Sequence, residues 1–286
     1  MLTFIQKKIV RLWPMLMISF IPVILLGEFK IFPDTLNLMF ISSGLGFIKI
    51  GSSNPASWFI CVLFFLLPMF FFMLAHFRTK NVLLFCSIIA FFSFCFIGRA
   101  EIGMYAAAPI KSFPFLTNGV INALGGISVG ILLAYCLKTF SPPKCLYSRV
   151  FRILFTVMEM ALLCVWIRYM SFHKVVYEPV FFQILFISIF ALFVYRFGYF
   201  SSFLNRKCLS YLGTLSYPIY LLHFPAFIFL KKYVWIHCHQ SNALFILFMS
   251  MGVCMGFAVL AQLFYEGSVR VFAKARESAS AQAANS

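Results

Sequence analysis

Residues 181–195 read FFQILFISIFALFVY, and this run indicates the class of fold. Its apolar residues do not alternate with polar ones, as they would along the strands of a membrane β-barrel. The chain of 286 residues is 63% hydrophobic and 10% charged, with a mean hydropathy of +0.98. Soluble domains contain about a quarter charged residues. We therefore predict an all-α, polytopic bundle of transmembrane helices.

Eight segments are long and apolar enough to cross a membrane. We predict an interfacial helix within a loop at 34–50, because this stretch carries an Asp, an Asn, two Ser and two Gly. Residues 1–270 are predicted to form one membrane domain, and the polar tail 271–286 is predicted to be disordered. The predicted spans are roughly 9–27, 57–76, 80–98, 114–137, 150–170, 177–197, 212–234 and 241–265.

The Lys and Arg residues predict how the spans are oriented. Fifteen of the 23 fall on the side that holds both termini, and eight fall on the other side. Because cytoplasmic loops carry the excess of Lys and Arg, we place both termini in the cytoplasm. This clustering in short loops also accounts for the net charge of +16, so we expect no nucleic-acid partner.

The cysteines and histidines give no metal or disulfide signature. The nine cysteines include no C-x-x-C pair, and most lie inside apolar runs, where a thiol acts as a small hydrophobic group. His237 and His239 are two residues apart with no further ligand nearby, so we predict no metal site. No small-residue cleavage site follows the first apolar run, so we also predict no signal peptide.

Glu159 lies in the middle of the predicted span 150–170. An acid inside a membrane helix is costly, so it is a candidate functional residue. Two interpretations remain open for it. Glu159 is either a catalytic acid or a structural partner for a group on a neighbouring helix.

The segment YLGTLSYPIYLLHFP (211–225) combines a proline kink with a polar face. Tyr217, Tyr220 and His223 recur at a spacing of three, which places them on roughly one side of the helix. Such a face suits a cavity better than lipid. His223 has two open interpretations, a residue of the site or a structural imidazole.

Residues 4–14, FIQKKIVRLWP, place Lys7, Lys8 and Arg11 at the start of the first span. Lys7 and Arg11 are one helical turn apart. The cations either anchor the span at the cytoplasmic surface or bind phosphate groups, for which guanidinium and ammonium are both suited. The residues alone leave both interpretations open.

Three segments together resemble the acyltransferase 3 family of integral membrane acyltransferases. FIQKKIVRLWP is similar to the family's F-x-x-K-R-x-x-R pattern, with Lys8 in place of the usual Arg. PASWFICVLFFLLP (55–68) is similar to its W-F-L segment through Trp58, and residues 211–225 resemble its L-G-x-x-S-Y-x-x-Y-L-x-H-x-P helix. Leu63 stands where many sugar O-acyltransferases of the family have Glu, so the chain sits closer to the W-F-L branch.

The resemblance implies ten membrane helices, of which this chain would lack the first two. Those helices carry the Arg and His that are thought to catalyse the reaction, so we leave the catalytic residues unassigned and expect this chain alone to be inactive or nearly so. Weak candidates in their place are His223 and Glu159.

The resemblance further implies transfer of an acetyl group from acetyl-CoA to a carbohydrate hydroxyl, in the inner membrane of the cell. The acceptor would be a surface glycan or a lipid-linked sugar, membrane lipids are expected as further partners, and no tightly bound cofactor is expected. Lys7, Lys8 and Arg11 would bind the CoA phosphates, while Trp58, Tyr217, Tyr220 and His223 would line the substrate cavity. The alternatives are a polysaccharide exporter or a non-catalytic membrane subunit.

Overall fold

The computed structural model describes residues 2–40, 53–99, 109–110, 113–140, 146, 148–172, 179–235 and 243–284. These residues are almost entirely helical, so the predicted all-α polytopic bundle is confirmed. A 3₁₀ turn (Pro55–Ser57) precedes α3, and a π-helical turn (Lys231–Trp235) follows α9. The helices are α1 (Leu2–Leu25), α2 (Ile31–Phe40), α3 (Trp58–His76), α4 (Thr79–Arg99), α5 (Asn118–Thr139), α6 (Arg149–Phe172), α7 (Pro179–Tyr195), α8 (Tyr199–Leu204), α9 (Lys207–Leu230) and α10 (Ala243–Ala284).

Within the described residues, six helices are long and apolar enough to cross a membrane. They correspond to the predicted spans at 57–76, 80–98, 114–137, 150–170, 212–234 and 241–265. The remaining two predicted spans contain shorter apolar helices, Leu12–Leu25 and Gln183–Tyr195. The orientation of the spans and the cytoplasmic position of the termini stay predictions.

One segment differs from the sequence-based expectation. Strand β2 (Phe113–Thr117), which pairs antiparallel with β1 (Pro109–Ile110), covers the start of the predicted span 114–137. Helix α5 begins only at Asn118, because the Thr117 side chain accepts a hydrogen bond from the N–H of Val120 and caps the helix there. At the other end of the chain, α10 extends to Ala284 through a segment rich in the strong helix former Ala, and the predicted disorder of the tail 271–286 stays a prediction.

The helices expose many large apolar side chains along their length. An uncharged aromatic or aliphatic surface of this extent is unfavourable in water, but acyl chains solvate it well. The outward apolar faces are therefore what a multi-pass membrane protein requires. Examples that are about two-thirds exposed are Leu84, Phe91, Phe92, Phe248 and Leu260.

The described residues divide into two compact units, of which one contains Trp58–Tyr211. Its core is a cluster contributed by α3, α4 and α5, and Asn122 of α5 accepts a hydrogen bond from Gln183 of α7 at 2.8 Å. An amide pair of this kind joins helices where lipid offers no polar partner. The buried members of the cluster are Val62, Leu66, Phe70, Val82, Cys86 and Val120.

The other unit contains α1, α2, most of α9 and α10. Helices α1 and α9 run in the same direction, as two hydrogen bonds show. At the middle of both helices, the Tyr217 hydroxyl donates to the Leu12 carbonyl at 2.8 Å; just beyond their ends, the Lys232 ammonium donates to the Leu26 carbonyl at 2.7 Å. Parallel helices agree with their predicted order as the first and seventh spans, since an even number of crossings separates the two.

Candidate functional site

The basic segment lies in the first turns of α1. Its helical backbone places the Cα atoms of Lys7 and Arg11 one turn apart, as the sequence predicts. The side chains of Lys7, Lys8 and Arg11 lie outside the described residues, so their predicted phosphate contacts stay predictions.

Tyr217 connects this segment to helix α9, which contains Pro218 and Pro225. Its hydroxyl donates to the carbonyl of Leu12, the residue directly after Arg11. The basic turn and the start of the polar face of α9 therefore lie at the same level of one unit. Tyr217 is half-buried at this contact.

His223 lies two helical turns further along α9 and its side chain is exposed. Its Nδ1 hydrogen-bonds to the carbonyl of Tyr220, and the two rings lie 5.7 Å apart. Because a carbonyl can only accept, Nδ1 carries the proton, and in the neutral imidazole Nε2 keeps a lone pair. His223 can therefore accept a proton or a hydrogen bond through Nε2.

A groove of about 580 Å³ surrounds this imidazole on α9 and α10. The described lining is apolar apart from the His223 ring and the Ser250 hydroxyl, with the Cys254 thiol 3.7 Å from the Ile219 carbonyl. A volume of this size is in the range of ligand pockets, which are mostly apolar with a few polar groups. The remaining lining residues are Phe224, Phe227, Met251 and Met255.

Asn54 is a buried polar residue that the sequence analysis did not single out. Its amide nitrogen donates to the Ser19 hydroxyl and to the Leu221 carbonyl, each at 3.1 Å. The Leu221 carbonyl needs this donor because the residue one turn later is Pro225, which has no N–H. The sequence contains one signal, a proline four residues after Leu221, which indicates that the Leu221 carbonyl lacks its helical donor. The sequence does not indicate which residue donates in its place.

Replacing Asn54 by leucine is expected to lower the free energy of unfolding by about 1–3 kcal/mol, because the Leu221 carbonyl is left buried without a donor. Adding Pro225→Ala restores an N–H at position 225 and should recover about 1 kcal/mol of that loss. Denaturant unfolding of the detergent-purified variants measures both effects.

The control for this rescue is Asn54→Leu combined with Pro218→Ala. That proline removal also straightens α9, but it supplies no donor to the Leu221 carbonyl. Equal recovery with Pro218→Ala and Pro225→Ala would show that relief of a kink, rather than the hydrogen bond, explains the rescue.

Trp58 belongs to the other unit, at the start of α3. It is half-buried, packs against the Val62-containing core cluster, and contacts the Phe59 ring edge to face at 5.8 Å. These contacts explain Trp58 as a packing residue. Its predicted role in lining a substrate channel stays a prediction.

Glu159 has the contacts of a structural residue. Its side chain is fully buried, and its two oxygens accept the N–H groups of Gly198 and Ser201, each at 3.1 Å. These N–H groups belong to the first turn of α8, where a carboxylate satisfies donors that the helix cannot. Both oxygens are occupied, so the contacts favour the structural interpretation of Glu159 over the catalytic one.

The metal prediction concerns residues outside the described part of the chain. His237 and His239 both lie there, so their surroundings are not described. Across the described residues, no three His, Cys, Asp or Glu side chains come together in a way that could hold a metal ion.

Comparison with known proteins identifies the chain by family. Searches of the curated proteins and of the solved structures found no match. A family model described as an acyltransferase domain, the acyltransferase 3 model, matches residues 1–261 of the 286. The match covers the basic segment, Trp58, the polar face of α9 and most of the apolar part of α10. The chain therefore belongs to the acyltransferase 3 family and is a multi-pass membrane acyltransferase.

Proposed function

We propose that this acyltransferase moves an acetyl group from acetyl-CoA to a carbohydrate hydroxyl of a surface glycan or a lipid-linked sugar. It would act in the inner membrane of the cell, with the donor entering from the cytoplasm. In this proposal Lys7, Lys8 and Arg11 bind the phosphates of CoA, and the groove beside His223 receives the acyl end.

The observation that carries this proposal is the hydrogen bond from Tyr217 to Leu12. It places the basic turn of α1 beside the helix that bears His223. With a rise of 1.5 Å per residue, the six residues from Tyr217 to His223 extend about 9 Å along α9. A donor bound by its phosphates at the start of α1 can therefore extend an arm along α9 towards the imidazole.

The reaction requires a base and a path for the leaving group. The sugar oxygen attacks the thioester carbonyl carbon, the C–S bond breaks, CoA leaves as its thiol, and the hydroxyl proton must be removed. His223 is the candidate to accept that proton or to orient the hydroxyl, because its Nε2 keeps a lone pair while Nδ1 is bound to Tyr220. Glu159 is not assigned a role, because both of its oxygens cap α8.

The direct test is transfer of radiolabelled acetyl from acetyl-CoA to glycan and lipid-linked sugar fractions by vesicles that contain the full chain. Label recovered in an alkali-labile ester would support the proposal, and it would contradict the expectation, drawn from the resemblance, that this chain alone is inactive or nearly so. A His223→Gln variant should lower kcat by about fivefold, the value of one net hydrogen bond, if the imidazole only orients the hydroxyl, and by about 10²–10⁴-fold if it takes the proton, with an unchanged Kd for CoA in both cases.

His223→Asn is the variant to compare with His223→Gln. The shorter Asn side chain places its amide closer to the position of Nδ1 than to that of Nε2. Equal transfer by wild type and both variants would remove His223 from the proposal. A wild-type chain that binds no CoA would reject the acetyl-CoA proposal as a whole, which is the result expected of a polysaccharide exporter.

A further inference from the structure

A second groove of about 600 Å³ lies in the same unit as α9, on the residues of α1, α9 and α10. Among the described residues, every lining side chain is apolar except for the hydroxyl of Tyr233. Such a lining offers no partner to a soluble polar ligand, but it matches an acyl chain. Lining residues include Ile18, Pro22 and Leu25 of α1, Leu222 and Phe229 of α9, and Ala261 of α10.

One end of this groove carries a cation. The Lys232 ammonium donates to the carbonyl of Leu26 at 2.7 Å and lies 5.8 Å from the Tyr233 ring centroid, and both of these residues line the groove. The Leu26 carbonyl is available because α1 has ended and Gly27 has a φ of 73°, which turns the chain away. Lys232 therefore has a structural function at the end of α1.

The hydrogen bond to Leu26 uses one of the N–H donors of the Lys232 ammonium. An ammonium has three N–H donors, and Leu26 takes the one hydrogen bond that this ammonium makes among the described residues. Lys232 remains exposed, and the neighbouring Lys231 is exposed as well. Lys and Tyr side chains together are typical of the headgroup level of a membrane.

We propose that this groove is a binding site for an anionic phospholipid, with an acyl chain along α1, α9 and α10 and its phosphate at Lys232. The charge of the lipid complements the ammonium, and its chain complements the apolar lining. The proposal does not depend on the acyl-transfer reaction, because the site differs from the groove beside His223.

The test is a lipid titration of the delipidated full chain in detergent by native mass spectrometry, with phosphatidylglycerol and phosphatidylcholine of identical acyl chains. Phosphatidylglycerol is expected to bind about fivefold more tightly than phosphatidylcholine, because one cation near an anionic lipid headgroup increases the affinity by about that factor. Lys232→Gln should abolish this preference, and Lys232→Arg should keep it together with the hydrogen bond to Leu26.

Two further variants keep the proposal falsifiable if Lys232→Gln unfolds the end of α1. Lys231→Gln removes an adjacent charge and should leave most of the preference. Ala261→Phe fills the groove and should weaken both lipids. If Lys231→Gln reduces the preference for phosphatidylglycerol as much as Lys232→Gln does, the preference comes from a diffuse surface charge. If Ala261→Phe binds both lipids as the wild type does, lipid does not enter the groove. Each result overturns the proposal.

Discussion

Replacing Lys7, Lys8 and Arg11 together by glutamine is expected to weaken the binding of CoA about a thousandfold. Each charge-assisted hydrogen bond to a phosphate contributes at least about 1.5 kcal/mol, and tenfold in Kd corresponds to 1.4 kcal/mol. Equilibrium binding of CoA to the purified full chain measures the change. Raising the ionic strength should weaken the wild-type complex in the same direction, because salt screens the cations.

The matched control removes three positive charges from the same predicted side of the membrane. Arg78, Lys80 and Lys138 are exposed near helix ends, and their replacement by glutamine should change the Kd for CoA little. If both triple variants bind CoA equally, the basic turn of α1 acts as a membrane anchor and not as a phosphate site. CoA without its 3′-phosphate should bind the wild type less tightly, because it presents fewer anionic oxygens.

Replacing Glu159 by alanine is expected to destabilise the protein by about 3–5 kcal/mol. The N–H groups of Gly198 and Ser201 would both remain buried without an acceptor, at about 1–3 kcal/mol each, and the lost side chain adds a cavity. Glu159→Gln keeps one acceptor oxygen and should lose about half as much. Denaturant unfolding in detergent, followed by helical circular dichroism, measures these differences.

Substitution of Gly198 tests the contact with the Glu159 side chain more specifically. A Cβ atom at this position would overlap the Glu159 carboxylate, so Gly198→Ala must displace it and break its hydrogen bonds. We expect Gly198→Ala to be strongly destabilising alone but nearly neutral in the Glu159→Ala background, where the space is empty.

Gly126→Ala is the control, since an added Cβ there meets no atom within 4 Å. A Gly198→Ala effect that is equal in both backgrounds would contradict the contact.

The membrane fold could be predicted from the sequence because it depends on long apolar runs. Each run must form its backbone hydrogen bonds internally in lipid, so length and composition are sufficient to predict helices such as α3, α4 and α6. The prediction was wrong at 114–117, where a short strand precedes α5. There the Thr117 side chain caps α5 by accepting a hydrogen bond from the N–H of Val120. This local contact determines where the helix begins.

The candidate site could be predicted only in part. The polar face of α9 follows from the spacing of Tyr217, Tyr220 and His223, and the structure places the exposed imidazole in a groove. Glu159 shows what could not be predicted from the sequence. An acid within a span has the same sequence pattern whether it catalyses a reaction or caps a helix. Its partners lie 39 and 42 residues away, so no local pattern contained them.

By itself the sequence determined that this chain is a helical membrane protein of the acyltransferase 3 type, because hydropathy and short motifs are properties of neighbouring residues. The tertiary structure decided which polar groups are already satisfied within the protein. Asn54 donates to the carbonyl that Pro225 leaves without a helical donor, Glu159 caps α8, Lys232 caps α1, and Nδ1 of His223 bonds to the Tyr220 carbonyl. The physical reason is that a buried hydrogen bond joins residues distant in the chain, and only folding determines which groups come within reach.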